Sequence, residues 1–198
     1  MTLPNKLTVM RLFSAPFVFL CWYLSFRLGL APQAGSIVIW ILFGVSEVTD
    51  ILDGYIARSR GLVSDVGKLM DPFSDVVLRV TYFLCFVGSG IMPIWSLAVI
   101  LWRELSMMFI RMLLAREGEA LAANSGGKIK SLLYFFSGAG GLAVLTLRAW
   151  FPELSWLPTV EIIAAVLFST AAAAALISFL NYFRHYTASK THKKFLSE

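Results

Sequence analysis

Six long stretches of mainly apolar residues follow one another along the chain, separated by short polar connections. A helix that crosses a bilayer needs about 20 such residues. We therefore predict six transmembrane helices, near Leu7–Leu28, Ser36–Ala57, Lys68–Gly88, Pro93–Leu114, Ile129–Ala149 and Pro158–Tyr186. Glycine and proline mark several of the connections, as they do at turns. The pattern predicts one all-α integral membrane domain over residues 1–198.

The polar residues at the start of the chain share one helical face, because Asn5, Thr8 and Arg11 are three residues apart. One interpretation is a short helix that lies in the membrane interface before the first span. The other is a polar start of the first span itself. Both fit the spacing, and we predict the short N-terminal juxtamembrane helix.

Composition and charge agree with a membrane location. Hydrophobic residues make up 58% of the chain and charged residues 15%, whereas about a quarter of a soluble protein is charged. Basic residues concentrate at both termini and in the second and fourth connections, which predicts that these parts face the cytoplasm. The net charge of +5 is then explained by loops that face anionic lipid, and we predict no nucleic-acid partner.

Two pairs of aspartates stand where the second predicted helix ends and the third begins. Asp50 and Asp53 are three residues apart, and Asp71 and Asp75 are four apart, so each pair lies on one helical face. We expect a turn, Arg58 to Gly67, to bring the two helices side by side and antiparallel, so that the four carboxylates converge. Their repulsion must be relieved by protonation, by Arg or Lys, or by divalent cations. Oxygen ligands without nearby His or Cys favour Mg²⁺, Mn²⁺ or Ca²⁺, and two such ions would suit phosphoryl transfer.

Small residues follow the first aspartate pair on the same side of the helix. Gly54 and Ala57 leave room for a ligand to approach the backbone beside Asp50 and Asp53. Close helix packing is the alternative explanation of such small residues. Arg58 follows them and is suited either to bidentate phosphate binding or to membrane anchoring.

Three further basic residues, Arg103, Arg111 and Lys128, are predicted near the cytoplasmic membrane face. They are candidates for binding a phosphate dianion, because an arginine inside the membrane is unfavourable and usually serves a function. An ion pair with Glu104 or a lipid headgroup contact are the alternatives for the two arginines. Membrane anchoring is the alternative for Lys128.

The polar segment as a whole reads D-x-x-D-G-x-x-A-R, eight residues, then G-x-x-x-D-x-x-x-D. Its fixed positions are Asp50, Asp53, Gly54, Ala57, Arg58, Gly67, Asp71 and Asp75. This pattern resembles the signature of the CDP-alcohol phosphotransferases, a family with a six-helix membrane fold. The stretches LPNKLTVMR, MDPFSD, WRELSMMFIR and GGKIKS are similar to the bacterial phosphatidylglycerophosphate synthases of that family, over roughly residues 3 to 135.

The resemblance implies a homodimeric enzyme of the bacterial cytoplasmic membrane, with its active site at the cytoplasmic face. It implies transfer of a phosphatidyl group from CDP-diacylglycerol to glycerol 3-phosphate, with release of CMP. Mg²⁺ or Mn²⁺, as two ions, would be held by Asp50, Asp53, Asp71 and Asp75, with Asp75 as the general base. The nucleotide would contact Asp53, Gly54, Ala57, Arg58 and Gly67, and the acceptor phosphate would contact Arg103, Arg111 and Lys128.

Four positions depart from the subfamily pattern. Val76 stands where a lysine is usual, and Ser74 where an alanine is usual. Arg79 lies one turn after Asp75 and either replaces the missing positive charge or extends toward the headgroups. Glu47 adds an acid one turn before Asp50, either protonated or paired with Arg79 or Arg103. Another acceptor, such as inositol phosphate, or CDP-choline or CDP-ethanolamine with diacylglycerol, is therefore an alternative. A divalent cation transporter is a more distant one.

Overall fold

A computed structural model describes residues 3–60, 65–116 and 125–187. These residues form six long α-helices and no β-strand. The helices are α1 (Leu3–Trp22), α2 (Pro32–Arg60), α3 (Asp65–Gly88), α4 (Ile94–Arg116), α5 (Ser125–Trp150) and α6 (Leu157–Thr187). A π-helical turn, Tyr23–Arg27, extends α1. All six predicted helices are confirmed as helices. Several of them extend beyond the apolar stretch into the polar residues that flank it.

The start of the chain corrects one prediction. Helix α1 runs without interruption from Leu3 to Trp22, so the described residues contain no separate juxtamembrane helix. Thr8 and Arg11 are buried, with 4% and 3% of their surface exposed, whereas a helix in the membrane interface would expose its polar face. The other interpretation, a polar start of the first long helix, is the correct one.

The helices pack side by side in a closed ring, in the order α1, α3, α4, α6, α5, α2 and back to α1. The prediction that the second and third helices pack side by side is therefore wrong, because α1 lies between α2 and α3. Aromatic side chains from three helices fill part of the interior, and Phe83 of α3 lies edge-on to Phe168 of α6 and Tyr134 of α5, with ring centroids 5.4 and 5.9 Å away. This interior packing holds α3 against the opposite side of the ring.

Four stretches of the described helices are long and apolar enough to cross a membrane: Thr8–Arg27, Pro32–Asp50, Ile129–Trp150 and Leu157–Arg184. Charged residues interrupt the apolar sequence of helices α3 and α4. The outward surfaces of both helices are nevertheless apolar, with Leu84, Trp102 and Phe109 among the exposed side chains. Large apolar side chains exposed on many helices are typical of a surface that contacts lipid. The structure thus supports a membrane protein and four of the six predicted spans.

Candidate functional site

A cavity of about 150 Å³ lies inside the ring, between α1, α2, α3 and α5. Both polar and aromatic side chains line it. The polar and charged ones are Arg11, Ser46, Glu47, Asp50, Asp75, Arg79, Tyr82, Ser131 and Tyr134. Two of the four predicted metal-binding aspartates, Asp50 and Asp75, therefore face the same cavity.

Arg11 joins the two aspartate-bearing helices to α1. Its Nη1 donates hydrogen bonds to Oδ1 of Asp50, at 2.8 Å, and to Oδ1 of Asp71, at 3.2 Å. The arginine side chain is 2% exposed, and each carboxylate is about half exposed. The predicted convergence of Asp50 and Asp71 is thus confirmed. Sequence reasoning missed Arg11 as a site residue, although its spacing from Thr8 on one helical face was the available signal.

Asp75 is paired with an arginine on its own helix. Nη2 of Arg79 donates a hydrogen bond to Oδ2 of Asp75 at 2.9 Å, and its guanidinium carbon lies 5.4 Å from the centre of the Tyr134 ring. Arg79 therefore points into the ring of helices, and the alternative in which it extends toward headgroups is wrong. Glu47 lines the same cavity as this pair.

A second buried charge cluster surrounds Glu104 on α4. Its Oε2 accepts a hydrogen bond from Nη1 of Arg103 at 2.9 Å, and its Oε1 accepts one from Nζ of Lys130 at 2.7 Å. Tyr134 also donates from its hydroxyl to Oε1, at 3.1 Å. The ion pair considered for Arg103 is therefore present. Lys130, which the charge pattern assigned to a cytoplasmic connection, is buried instead.

Several predicted site residues lie outside the described side chains, in helical segments for which only the backbone is described. These are Asp53, Gly54, Ala57, Arg58, Gly67 and Lys128. Arg111 is described and lies, partly exposed, two turns after Arg103 on α4. Among the described side chains, the structure therefore brings together three of the four aspartates, whereas Arg103 lies in the separate cluster around Glu104.

The carboxylates of the aspartate site offer the oxygen ligands that a divalent cation prefers. Among the described side chains, no group of three or more His, Cys, Asp or Glu is arranged to hold a metal ion; Asp53 is outside that set. Oδ1 of Asp50 and Oδ1 of Asp71 nevertheless accept hydrogen bonds from the same nitrogen, Nη1 of Arg11. These two oxygens therefore lie close to each other. Carboxylates this close repel each other, and a cation between them relieves the repulsion. The oxygen donors fit Mg²⁺ or Mn²⁺, and Arg11 supplies the positive charge here.

Similarity to known proteins agrees with this site. Residues 1–177 match the CDP-alcohol phosphatidyltransferase family. Several relatives carry the name CDP-diacylglycerol--glycerol-3-phosphate 3-phosphatidyltransferase, among them three bacterial proteins. The Treponema pallidum protein is 37% identical over 152 residues, 75% of this chain and 69% of the relative. The Bacillus subtilis protein is 35% identical over 139 residues, 65% of this chain and 70% of the relative. The Rickettsia typhi protein is 28% identical over 190 residues, 96% of this chain and 98% of the relative.

With its aspartate signature and a match over most of its length, the chain belongs to the CDP-alcohol phosphatidyltransferase family.

Proposed function

We propose that this protein is a phosphatidylglycerophosphate synthase. It transfers the phosphatidyl group of CDP-diacylglycerol to glycerol 3-phosphate and releases CMP. The observation that carries the proposal is the gathering of Asp50 and Asp75 in one cavity, with Asp71 tied to Asp50 through Arg11. Relatives named for this reaction that align over almost the whole chain support the choice of substrates.

The proposed cofactor is Mg²⁺ or Mn²⁺, as two ions held by Asp50, Asp53, Asp71 and Asp75. When bound, such ions neutralise charge on the pyrophosphate of the donor and on the departing CMP. The protein contributes the carboxylates from two helices and keeps them close through Arg11. Arg11 also leaves a positive charge beside the phosphates that enter the site.

Asp75 is the proposed general base. It takes the proton from the attacking hydroxyl of glycerol 3-phosphate, whose oxygen bonds to the phosphorus that carries the diacylglycerol. The bond from that phosphorus to the oxygen of CMP then breaks, and CMP leaves with the electron pair. Arg79, 2.9 Å from Asp75, orients the carboxylate and replaces the positive charge expected at Val76.

The two substrates are proposed to occupy different sides of this centre. Asp53, Gly54, Ala57, Arg58 and Gly67 bind the cytidine nucleotide, because small residues admit a ligand close to the helix backbone and arginine grips phosphate with two hydrogen bonds. The phosphate of glycerol 3-phosphate binds to a second set of basic residues, namely Arg103, Arg111 and Lys128. Arg103 is buried and already paired with Glu104. Its Nε has no hydrogen-bond partner among the described residues, which supports this role.

The position in the membrane follows from the same charges. We propose that all six helices span the bacterial cytoplasmic membrane, with both termini and the active site at the cytoplasmic face, in a homodimer among membrane lipids. Apolar outward surfaces on α3 and α4 support the two additional spans. Acyl chains then stay in the bilayer while glycerol 3-phosphate arrives from water.

The reaction is tested by CMP release from the purified protein in detergent with Mg²⁺ and CDP-diacylglycerol. We compare glycerol 3-phosphate, inositol phosphate, serine and no acceptor, using wild type, Asp71→Asn and Glu153→Gln, a control in an exposed turn. We expect release that requires glycerol 3-phosphate, is lost in Asp71→Asn and is retained in Glu153→Gln. Release with another acceptor instead would overturn the proposed acceptor. No release with any donor and acceptor pair of the family would overturn the enzyme assignment.

A further inference from the structure

Glu104 lies at the centre of a network that joins three helices of the ring. Its two carboxylate oxygens receive Arg103 from α4 and both Lys130 and Tyr134 from α5. Nη2 of Arg103 also contacts Oγ of Ser178 on α6, at 3.4 Å. At most 6% of the surface of each of these five residues is exposed. An acid that neutralises two buried cations at once determines where both of them sit.

Tyr134 connects this network to the candidate base. Its hydroxyl donates to Glu104, while its ring lies 4.7 Å from Nζ of Lys130 and 5.4 Å from Cζ of Arg79. Contacts between cations and an aromatic ring are attractive. Arg79 in turn holds Asp75. A continuous series of contacts therefore runs from Asp75 through Arg79 and Tyr134 to Glu104.

Arg103 retains capacity for another ligand. Its Nε is buried and has no hydrogen-bond partner within the part of the chain that the structure describes. Most buried N–H groups in proteins are paired, so the unpaired Nε–H of this positively charged guanidinium is suited to an oxygen of an anion. This oxygen would arrive at an arginine whose two other nitrogens are already held by Glu104 and Ser178.

We propose that Glu104 is a positioning residue for the phosphate of the acceptor. It holds Arg103 and Lys130 in the arrangement that binds the phosphate. Tyr134 contacts both Glu104 and Arg79 and so fixes this arrangement relative to the Arg79–Asp75 pair. The inference rests on the proposed function, and it adds Lys130, Glu104 and Tyr134 to the acceptor side of the site. Without the carboxylate, two like charges repel each other and their long side chains lose their fixed positions.

The test is to measure kcat and both KM values for wild type, Glu104→Gln, Tyr134→Phe and Glu161→Gln. Glu161 is the matched control because it is also paired with an arginine, Arg148, at 2.8 Å. That pair lies near the opposite end of α5 from Lys130, about 27 Å along the helix. Glu104→Gln keeps the shape of the side chain and removes its charge. Tyr134→Phe keeps the ring and removes one hydrogen bond to Glu104.

We expect Glu104→Gln to raise the KM for glycerol 3-phosphate by about tenfold or more, since small misplacements of binding groups have large kinetic effects. The KM for CDP-diacylglycerol should stay within about twofold of wild type, as expected when only one substrate loses its contacts. Tyr134→Phe should raise the KM for glycerol 3-phosphate by about two- to fivefold, the effect of one hydrogen bond. Glu161→Gln should change neither KM.

Two results would overturn the inference while leaving the reaction intact. One is an active wild type with an unchanged KM for glycerol 3-phosphate in Glu104→Gln. The other is an equal rise of both KM values, which indicates a purely structural role. If Glu104→Gln does not fold, an unchanged KM in Tyr134→Phe overturns it. A wild type that releases no CMP with glycerol 3-phosphate refutes the proposed function itself.

Discussion

Arg79 donates a hydrogen bond from Nη2 to Oδ2 of Asp75 across 2.9 Å, one helical turn along α3. Both side chains line the cavity inside the ring of helices. The pair places a fixed positive charge beside the carboxylate that we propose as the general base. It also explains why position 76 can be the apolar Val76 and not the usual lysine. Arg79, one turn after Asp75 on the same helix, supplies the positive charge.

Replacing Arg79 should therefore affect turnover. We expect Arg79→Gln to lower kcat by about 10- to 100-fold, less than the whole contribution of a general base, because Asp75 remains but loses its orienting partner. Arg79→Lys should recover part of the loss. The measurement is CMP release at saturating substrates. The control is Arg148→Gln, because Arg148 is also paired with an acid, Glu161. Equal kcat values for Arg79→Gln and wild type would contradict the role assigned to Arg79.

Arg11 should matter most when no divalent cation is present. Removing its buried side chain leaves the carboxylates of Asp50 and Asp71 facing each other. Because those carboxylates are half exposed, we expect Arg11→Gln to lower the stability of the metal-free protein by only about 1–2 kcal/mol. Added Mg²⁺ should restore most of the difference, since it supplies the missing charge.

This expectation is checked by thermal unfolding in detergent with EDTA and with Mg²⁺. Arg27→Gln is the control, because Arg27 is exposed beyond the other end of α1. Equal unfolding temperatures of Arg11→Gln and wild type in EDTA would show that Arg11 does not stabilise the aspartates. A deficit that Mg²⁺ leaves unchanged would argue against a cation site at Asp50 and Asp71.

Two adjacent glycines of α5 test the packing that holds the ring together. A Cβ atom at Gly141 would lie 2.9 Å from the ring of Phe86, whereas one at Gly140 would lie 3.5 Å from Leu167. Phe86 is completely buried, so its ring would have to shift against neighbouring side chains. We expect Gly141→Ala to lower stability by about 1–3 kcal/mol through overpacking. Gly140→Ala should be neutral or stabilising by up to about 1 kcal/mol, since alanine favours helix.

Thermal unfolding of both variants in the same detergent makes this comparison. The helix propensity gained is the same at the two positions, so their difference reports the contact with Phe86 alone. A Gly141→Ala protein as stable as Gly140→Ala would mean that α3 and α5 are not packed tightly at this point.

The helices and the aspartate pairs could be predicted because both depend on local sequence. A run of apolar residues predicts a long helix from its length alone, and all six runs are helical. The spacing of Asp50 and Asp53, and of Asp71 and Asp75, puts each pair on one face whatever the helix contacts. The meeting of Asp50 and Asp71 was also predicted, but it does not arise through side-by-side packing of α2 and α3, since α1 lies between these helices and its Arg11 links the two carboxylates.

The partners of the basic residues could not be predicted in this way. Lys130 and Arg11 look like cytoplasmic anchors when charge is counted along the chain, yet both are buried. Their partners, Glu104 and the pair Asp50 and Asp71, are distant in sequence and meet them through the packing of the helices around the ring.

The sequence by itself determined that this chain forms long membrane helices and carries two aspartate pairs and their signature. Hydrophobic periodicity and i, i+3 or i, i+4 spacing are properties of single helices and need no knowledge of neighbours. The tertiary structure alone decided that α1 packs between α2 and α3, that Arg11 reaches both aspartates, and that Glu104 gathers Arg103, Lys130 and Tyr134. A buried charge must be paired inside the protein, and which partner it finds depends on the order in which the helices pack.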